Sequence, residues 1–337
     1  MTLPMADCHD DLLAGCLHQN ERGVHDPFGD FWLPQLRAGG VVLQVLPVYT
    51  EEQFVGEGAL SRALLMVEEA WRIATMHEQD VAICLTGPDV TAAVESGRIA
   101  LVLALEGAEP VGNSVSLLRS MFRVGIRMVS MTWNRRTMMA DGVGEQDTGG
   151  TLTRLGVEAI AEMERLGIVV DVSHLSEAGF WRVAELARRP FLASHSSCRA
   201  LQDHPRNLTD DQIRAVAASG GVVALNGFGP FLADEPTIDD FVRHVRHAVD
   251  LVGAEHVGLG LDFMADLMPV VDPILGGALV DLNALPVLHD LQRPADLPVL
   301  GALLVDELGQ GSAARVCSGS LVAALTDLLP EGATMGS

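Results

Sequence analysis

Eight short runs rich in Val, Ile, Leu and Ala recur along the chain, at 5–9, 41–46, 99–105, 126–132, 168–173, 190–194, 222–226 and 257–261. Between them lie segments whose apolar residues repeat at helical spacing, clearest over 60–76 and 152–166. Alternation of this kind predicts parallel strands joined by crossover helices, and eight such strands predict an α/β fold closed as a (β/α)8 TIM-type barrel. Thr209 with Gln212 has the pattern of a capping box, and Thr237 with Asp240 that of a helix start. No Pro- or Ser-rich linker divides the 337 residues, and no repeat of 20 to 50 residues is visible. With 48% hydrophobic residues the chain can bury one barrel-sized core. We therefore expect residues 1–337 to form a single domain, with 264–337 as loops and helices capping the barrel.

Residues able to bind a metal close several of these runs. His9 and Asp11 stand two apart at the end of the first, so on a strand both side chains would leave the same face. Glu106, His174 and His195 end or follow the third, fifth and sixth. A barrel gathers its chemistry at the C-terminal ends of its strands, which is where these five residues fall. Imidazole nitrogen and carboxylate oxygen together suit a borderline ion such as Zn²⁺. Asp262, after the eighth run, is placed to serve as general base and acid toward water at such a centre. Arg206, on the loop past the sixth run, could clamp a substrate carboxylate through two parallel hydrogen bonds. The pattern points to a metal-dependent hydrolase.

Other candidates carry less. Cys8 and Cys198 flank proposed ligands but read as small buried apolar groups. His244 and His247, beside Arg243 and Arg246, read as a solvated helix face, and His18, His25, His77, His204, His256 and His289 as structural residues. The Gly-rich stretch 141–150 is a candidate lid.

Charge narrows the partners. A net charge of −23 repels phosphate backbones and anionic membranes, leaving a small molecule as the expected partner. All 22 basic residues are arginine, which excludes Schiff-base lysine chemistry and a carbamylated-lysine metal bridge, so a bridging ligand must be a carboxylate. Five irregularly spaced cysteines suggest reduced thiols, and the first residues show neither a signal peptide nor an anchor, so a cytoplasmic location is expected. A homodimer is the commonest assembly for such a chain.

The motifs Cys-His-Asp-Asp (His9, Asp11), Leu-Glu-Gly (Glu106), Asp-Val-Ser-His (His174), Ser-His-Ser-Ser (His195), Pro-Arg-Asn-Leu (Arg206) and Leu-Asp-Phe (Asp262) resemble those of the membrane (renal) dipeptidase family of zinc peptidases, within the amidohydrolase-like barrels. The resemblance implies two zinc ions bridged by Glu106, one completed by His9 and Asp11 and the other by His174 and His195, with a hydroxide between them. It also implies that Arg206 holds the C-terminal carboxylate of a dipeptide, including one ending in a D-residue, while Asp262 moves the proton. Two positions depart from the family pattern. Trp133 stands where members carry a substrate-binding histidine, and Met264 interrupts the usual Asp-Phe-Asp-Gly. Trp133 offers one N–H donor and an apolar wall, which leaves another amide, a lactone or an N-acyl amino acid as the alternative substrate.

Overall fold

The computed structural model describes residues 3–267, 271 and 287–332. Its strands are β1 (Met5–Asp7), β2 (Val41–Tyr49), β3 (Val81–Ile83), β4 (Ile99–Glu106), β5 (Ile126–Ser130), β6 (Val169–Asp171), β7 (Val223–Asn226) and β8 (Val257–Gly260). Seven of them run in the order β6-β5-β4-β2-β1-β8-β7, every pair parallel. Between β6 and β7 the sheet continues through residues 190–194, which make only the bridges Asp171–Leu192 and Ala193–Val223. The sixth expected strand is thus too short to form a ladder: Pro190 has no N–H to give, and the Ser194 N–H turns to the Asp171 carboxylate instead. The whole is a TIM-type α/β barrel.

Strand β3 lies outside the eight expected runs. It pairs with the start of β4, Val81 to Ile99 through Ile83 to Leu101, and β5 takes over the same edge from Leu103 onward.

Helices α1 (Leu12–Asn20), α2 (Leu33–Ala38), α3 (Ala59–Met76), α4 (Gly87–Glu95), α5 (Ser116–Val124), α6 (Arg154–Leu166), α7 (Glu177–Leu186), α8 (Asp210–Ala218), α9 (Ile238–Val252), α10 (Leu297–Ala314) and α11 (Ser320–Leu328) surround the sheet. Both Thr209–Gln212 and Thr237–Asp240 are reciprocal capping boxes, at the starts of α8 and α9. Strand parity sorts the core. Along β4, Leu101, Leu103 and Leu105 pack toward the helices, while Ala100, Val102 and Ala104 point into the barrel with Ala6, Leu43, Val45 and Met128. Leu321 and Leu325 of α11 join that inner cluster. Leu321 approaches Gly258 near the start of β8, so α11 lies under the N-terminal end, not over the strand termini. The rest of the expected cap falls partly outside the described residues.

His244 corrects the reading of a solvated face. It is 1% exposed, and its Nδ1 accepts the Cys198 N–H at 3.0 Å while Nε2 donates to Leu232 O at 3.1 Å. Its flanking arginines share the helix with it but not its face. His247 remains half-buried beside Asp210, and His77 and His256 bond Asp26 and Gly221 O as structural histidines do. The five cysteines are free and buried, and no described helix is long and apolar enough to cross a membrane.

Candidate metal centre

Glu106 is the last residue of β4 and continues the inward parity of Ala100, Val102 and Ala104, which delivers its carboxylate to the barrel mouth. Around it the chain brings three histidines. His174 Nε2 lies 2.9 Å from Glu106 Oε1, and His9 Nε2 and His195 Nε2 each lie 3.6 Å from it. His174 Nε2 and His195 Nε2 are 2.7 Å apart.

The second half of the cluster is built from the ends of β1 and β8. β1 stops at Asp7, so His9 and Asp11 do not share a strand face as the spacing suggested. The Asp7 carboxylate accepts the His9 N–H at 3.3 Å, and Asp11 becomes the residue preceding α1. The turn still sets His9 Nε2 3.8 Å from Asp11 Oδ2. Ligand atoms of His9, Asp11 and Asp262 lie within 4.8 Å of one another, as do those of His9, Glu106 and His195. Asp262 donates its N–H to His9 O at 2.9 Å and receives Asn226 Nδ2 at 3.0 Å.

Two of these residues sit in strained backbone. His174 (φ 68°) and Asp262 (φ 54°) are the described non-glycine residues with positive φ. Each such conformation costs roughly 1–3 kcal/mol and is held only where the surroundings over-determine it. Tight packing is also needed behind His195: a Cβ on Gly260 would fall 1.9 Å from Ser194 O.

The donor set fits a cation. Asn134 Oδ1 can only accept, so His174 Nδ1 at 2.8 Å carries its proton and presents a bare Nε2 to the cluster. On the carboxylate side, Asp11 Oδ1 and both oxygens of Asp10 are buried without a hydrogen-bond partner among the described residues. Separations of 2.7 to 3.8 Å between donor atoms bracket the edge of roughly 3.3 Å expected around an ion with bonds of about 2.0–2.1 Å. Burial pushes the Glu106, Asp10 and Asp262 carboxyls up, with neighbouring carboxylates adding to it, and holds His174 and His195 well down. His9 is driven the other way: burial opposes its charge, yet Glu106 and Asp11 raise it to about 10. Buried carboxyls that resist ionisation and draw a charge onto His9 form a cluster that a divalent cation relieves.

Arg206 reaches the same place. Its Nη2 donates to His174 Nε2 at 3.2 Å and to His195 O at 3.1 Å, while Nε, also buried, has no partner among the described residues. Burial lowers it to about 10. Trp133 forms a wall, its ring 5.7 Å from those of His174 and Tyr49, with the Arg135 guanidinium 5.2 Å from it. All eight residues singled out in the sequence therefore meet at one end of the barrel. The 141–150 loop is fastened there: Val143 N–H bonds His174 O, Gly144 N–H bonds Asn134 O, and Asp141 pairs with Arg136. That anchoring removes the ground for reading it as a lid.

Sequence reasoning missed the supporting groups Asn134, Asp171, Ser194 and Asn226. A polar residue inside an apolar run, as Asp171 is, was the available signal.

The family model described as membrane dipeptidase (peptidase family M19) matches residues 1–272. The dipeptidase verJ of Clonostachys rogersoniana is 35% identical over 189 residues, which cover 56% of this chain and 49% of that relative. The chain thus spans about half the length of that curated relative. Among solved structures, a metallo peptidase from Rhodobacter sphaeroides, liganded with a phosphinate mimic of the dipeptide L-Ala-D-Ala, is similar with a TM-score of 0.84 at 25% identity, covering 98% of this chain and 100% of that one. A second, described as a dipeptidase and metallo peptidase of family M19, gives 0.85 at 26% identity over the same shares.

Proposed function

The chain belongs to the membrane dipeptidase family (peptidase family M19), and from that premise we propose that it is a metal-dependent dipeptidase hydrolysing the amide bond of short dipeptides, with zinc as the metal. The observation that carries this reading is the convergence of three imidazole Nε2 atoms within 3.6 Å of one Glu106 oxygen. His9 and Asp11 would hold one ion, His174 and His195 a second, with Glu106 between them. When bound, such a pair polarises a carbonyl oxygen and makes water acidic enough to attack it.

The chain's own residues supply the rest. Asp262, held by Asn226, takes the proton of the attacking water and returns it to the departing nitrogen, a role suited to a carboxyl that burial has already pushed up. Arg206 offers the C-terminal carboxylate its unpaired Nε, together with the Nη2 hydrogen that now points at His174 Nε2 and that a metal on that nitrogen would release. A C-terminal D-residue is included in the proposal, supported by the ligand of the Rhodobacter protein. Five buried free thiols support a reducing, cytoplasmic setting.

A second reading comes from Trp133. With an indole beside His174 in place of an imidazole, the wall favours an apolar acyl group, as on an N-acyl amino acid, another amide or a lactone.

Purified protein is expected to carry about two zinc ions per chain, in keeping with two-metal hydrolases, and to cleave dipeptides assayed with both C-terminal stereochemistries. Glu106→Ala should lose both metal and turnover. Full hydrolysis by that variant would overturn the mechanism, and cleavage of N-acyl amino acids alone would favour the second reading.

A further inference from the structure

The Asp171 carboxylate is buried between the two chain segments that deliver His174 and His195, and among the described residues all its hydrogen bonds go to them. Oδ1 accepts the N–H of Ser173 at 3.0 Å and of Ser194 at 3.0 Å, the residues immediately before the two histidines. Oδ2 accepts the Ser194 hydroxyl at 2.5 Å. Because that hydroxyl gives its proton to Asp171, it can only accept from His195 Nδ1, 2.7 Å away. The chain Asp171–Ser194–His195 therefore puts the imidazole proton on Nδ1 and leaves Nε2 bare, facing Glu106. Resting on the metal-centre reading above, we propose that Asp171 is a positioning residue which, through Ser194, sets the tautomer of His195 and with it the affinity of the centre for metal.

The other half of the mouth repeats the arrangement. Asp7 Oδ1 accepts the N–H of His9 at 3.3 Å and of Leu261 at 2.8 Å, so one carboxylate again ties a histidine to the segment bearing the next site residue, Asp262. Its Oδ2 takes the Gln44 amide at 3.1 Å instead of a hydroxyl. Among the described residues the relay to an imidazole is thus confined to the Asp171 side, where the histidine has no other partner for Nδ1.

Asp171→Asn changes no volume but reverses the relay. Two N–H donors keep the amide oxygen in place, the amide nitrogen faces Ser194, and the hydroxyl then accepts from it and turns its proton to His195 Nδ1 at 2.7 Å, the nearer acceptor beside Ser173 Oγ at 3.4 Å. The imidazole proton moves to Nε2, the atom that should bind metal. Loss of an outer partner of a metal-bound histidine typically weakens binding about 10–100-fold. Removing the misdirected hydroxyl should restore part of that loss, so Asp171→Asn/Ser194→Ala should bind metal more tightly than Asp171→Asn alone. A purely structural role predicts the opposite order, since the double variant lacks more contacts.

The test is titration of metal-free protein with Co²⁺ against a competing chelator, read by cobalt absorption, together with ¹⁵N spectra of the metal-free histidines. The expected results are an Nδ1–H tautomer for His195 in the unmutated protein, weakened Co²⁺ binding in Asp171→Asn, and recovery in the double variant. Unmutated protein with His195 protonated on Nε2, or a double variant no better than Asp171→Asn, would overturn the proposal even if Asp171→Asn fails to fold, since the spectrum needs no variant. Unmutated protein that takes up no Co²⁺ would instead overturn the metal-centre reading itself.

Discussion

Arg206 is the residue at which the proposed substrate contact meets the candidate metal centre. Two of its contacts go to the histidine pair, and its Nε is left over. A planar guanidinium can bond the site through Nη2 and still turn Nε toward a substrate carboxylate, whereas a lysine ammonium is a single point charge. Losing one charge-assisted hydrogen bond costs about 1.5–3 kcal/mol, or roughly 10–150-fold. Arg206→Lys should therefore raise KM for a dipeptide by roughly that factor. The decisive comparison is with the same dipeptide carrying a C-terminal amide. Unmutated enzyme should prefer the free acid strongly, and the variant should lose most of that preference. An undiminished preference would place the carboxylate elsewhere.

At the scale of elements, α9 is tied to the segment after His195 by one buried imidazole. His244 accepts from Cys198 N–H and donates to Leu232 O, an arrangement open only to the neutral ring. Burial lowers its pKa to about 4 from the ordinary imidazole value of 6.5. The unfolded chain therefore binds a proton that the folded one refuses between those values, so this contribution is complete above about 6.5 and is lost as pH falls toward 4. The maximum loss is about 3 kcal/mol, at about 1.36 kcal/mol per unit. Denaturant unfolding at pH 7 and pH 5 should show a smaller pH-dependent loss in His244→Asn than in unmutated protein, and equal losses would exclude this origin.

His244 also shows where sequence reading stops. Its arginine neighbours at 243 and 246 mark the same turn of helix as polar, but which face of α9 meets the barrel depends on Cys198 and Leu232, far away in sequence. The convergence of the five candidate ligands was legible because each is an acid or imidazole at the end of an apolar run, where a barrel gathers its strand termini. Asn134 and Ser194 were not, because their roles exist only after His174 and His195 have been brought together. Residues 190–194 were read as a strand and make only two bridges. Periodicity cannot report that a side-chain carboxylate has taken a backbone N–H out of a ladder.

For the molecule as a whole, the barrel carries its largest electrostatic load at one end. Asp7, Asp10, Glu106 and Asp262 are all pushed up, chiefly by burial, and Asp7 reaches about 6. In metal-free protein a group raised in this way stabilises the fold below its unfolded value. That contribution is lost as pH rises through its folded value, for Asp7 between 3.8 and about 6. Bound metal reverses the situation, since it holds the carboxylates ionised and the imidazoles neutral, and protons compete with it. An ion present at a thousand times its dissociation constant stabilises by about 4.1 kcal/mol per site. Chelation should therefore lower the melting temperature. The gap between metal-loaded and metal-free protein should widen from pH 5 to pH 7. His244, which is not among the candidate ligands, contributes equally to both forms and cancels in that gap. Calorimetry of both forms, with metal content verified by atomic spectroscopy, measures it directly. A gap of zero, or one that narrows as pH rises, would mean that the buried carboxylates are not what the metal neutralises.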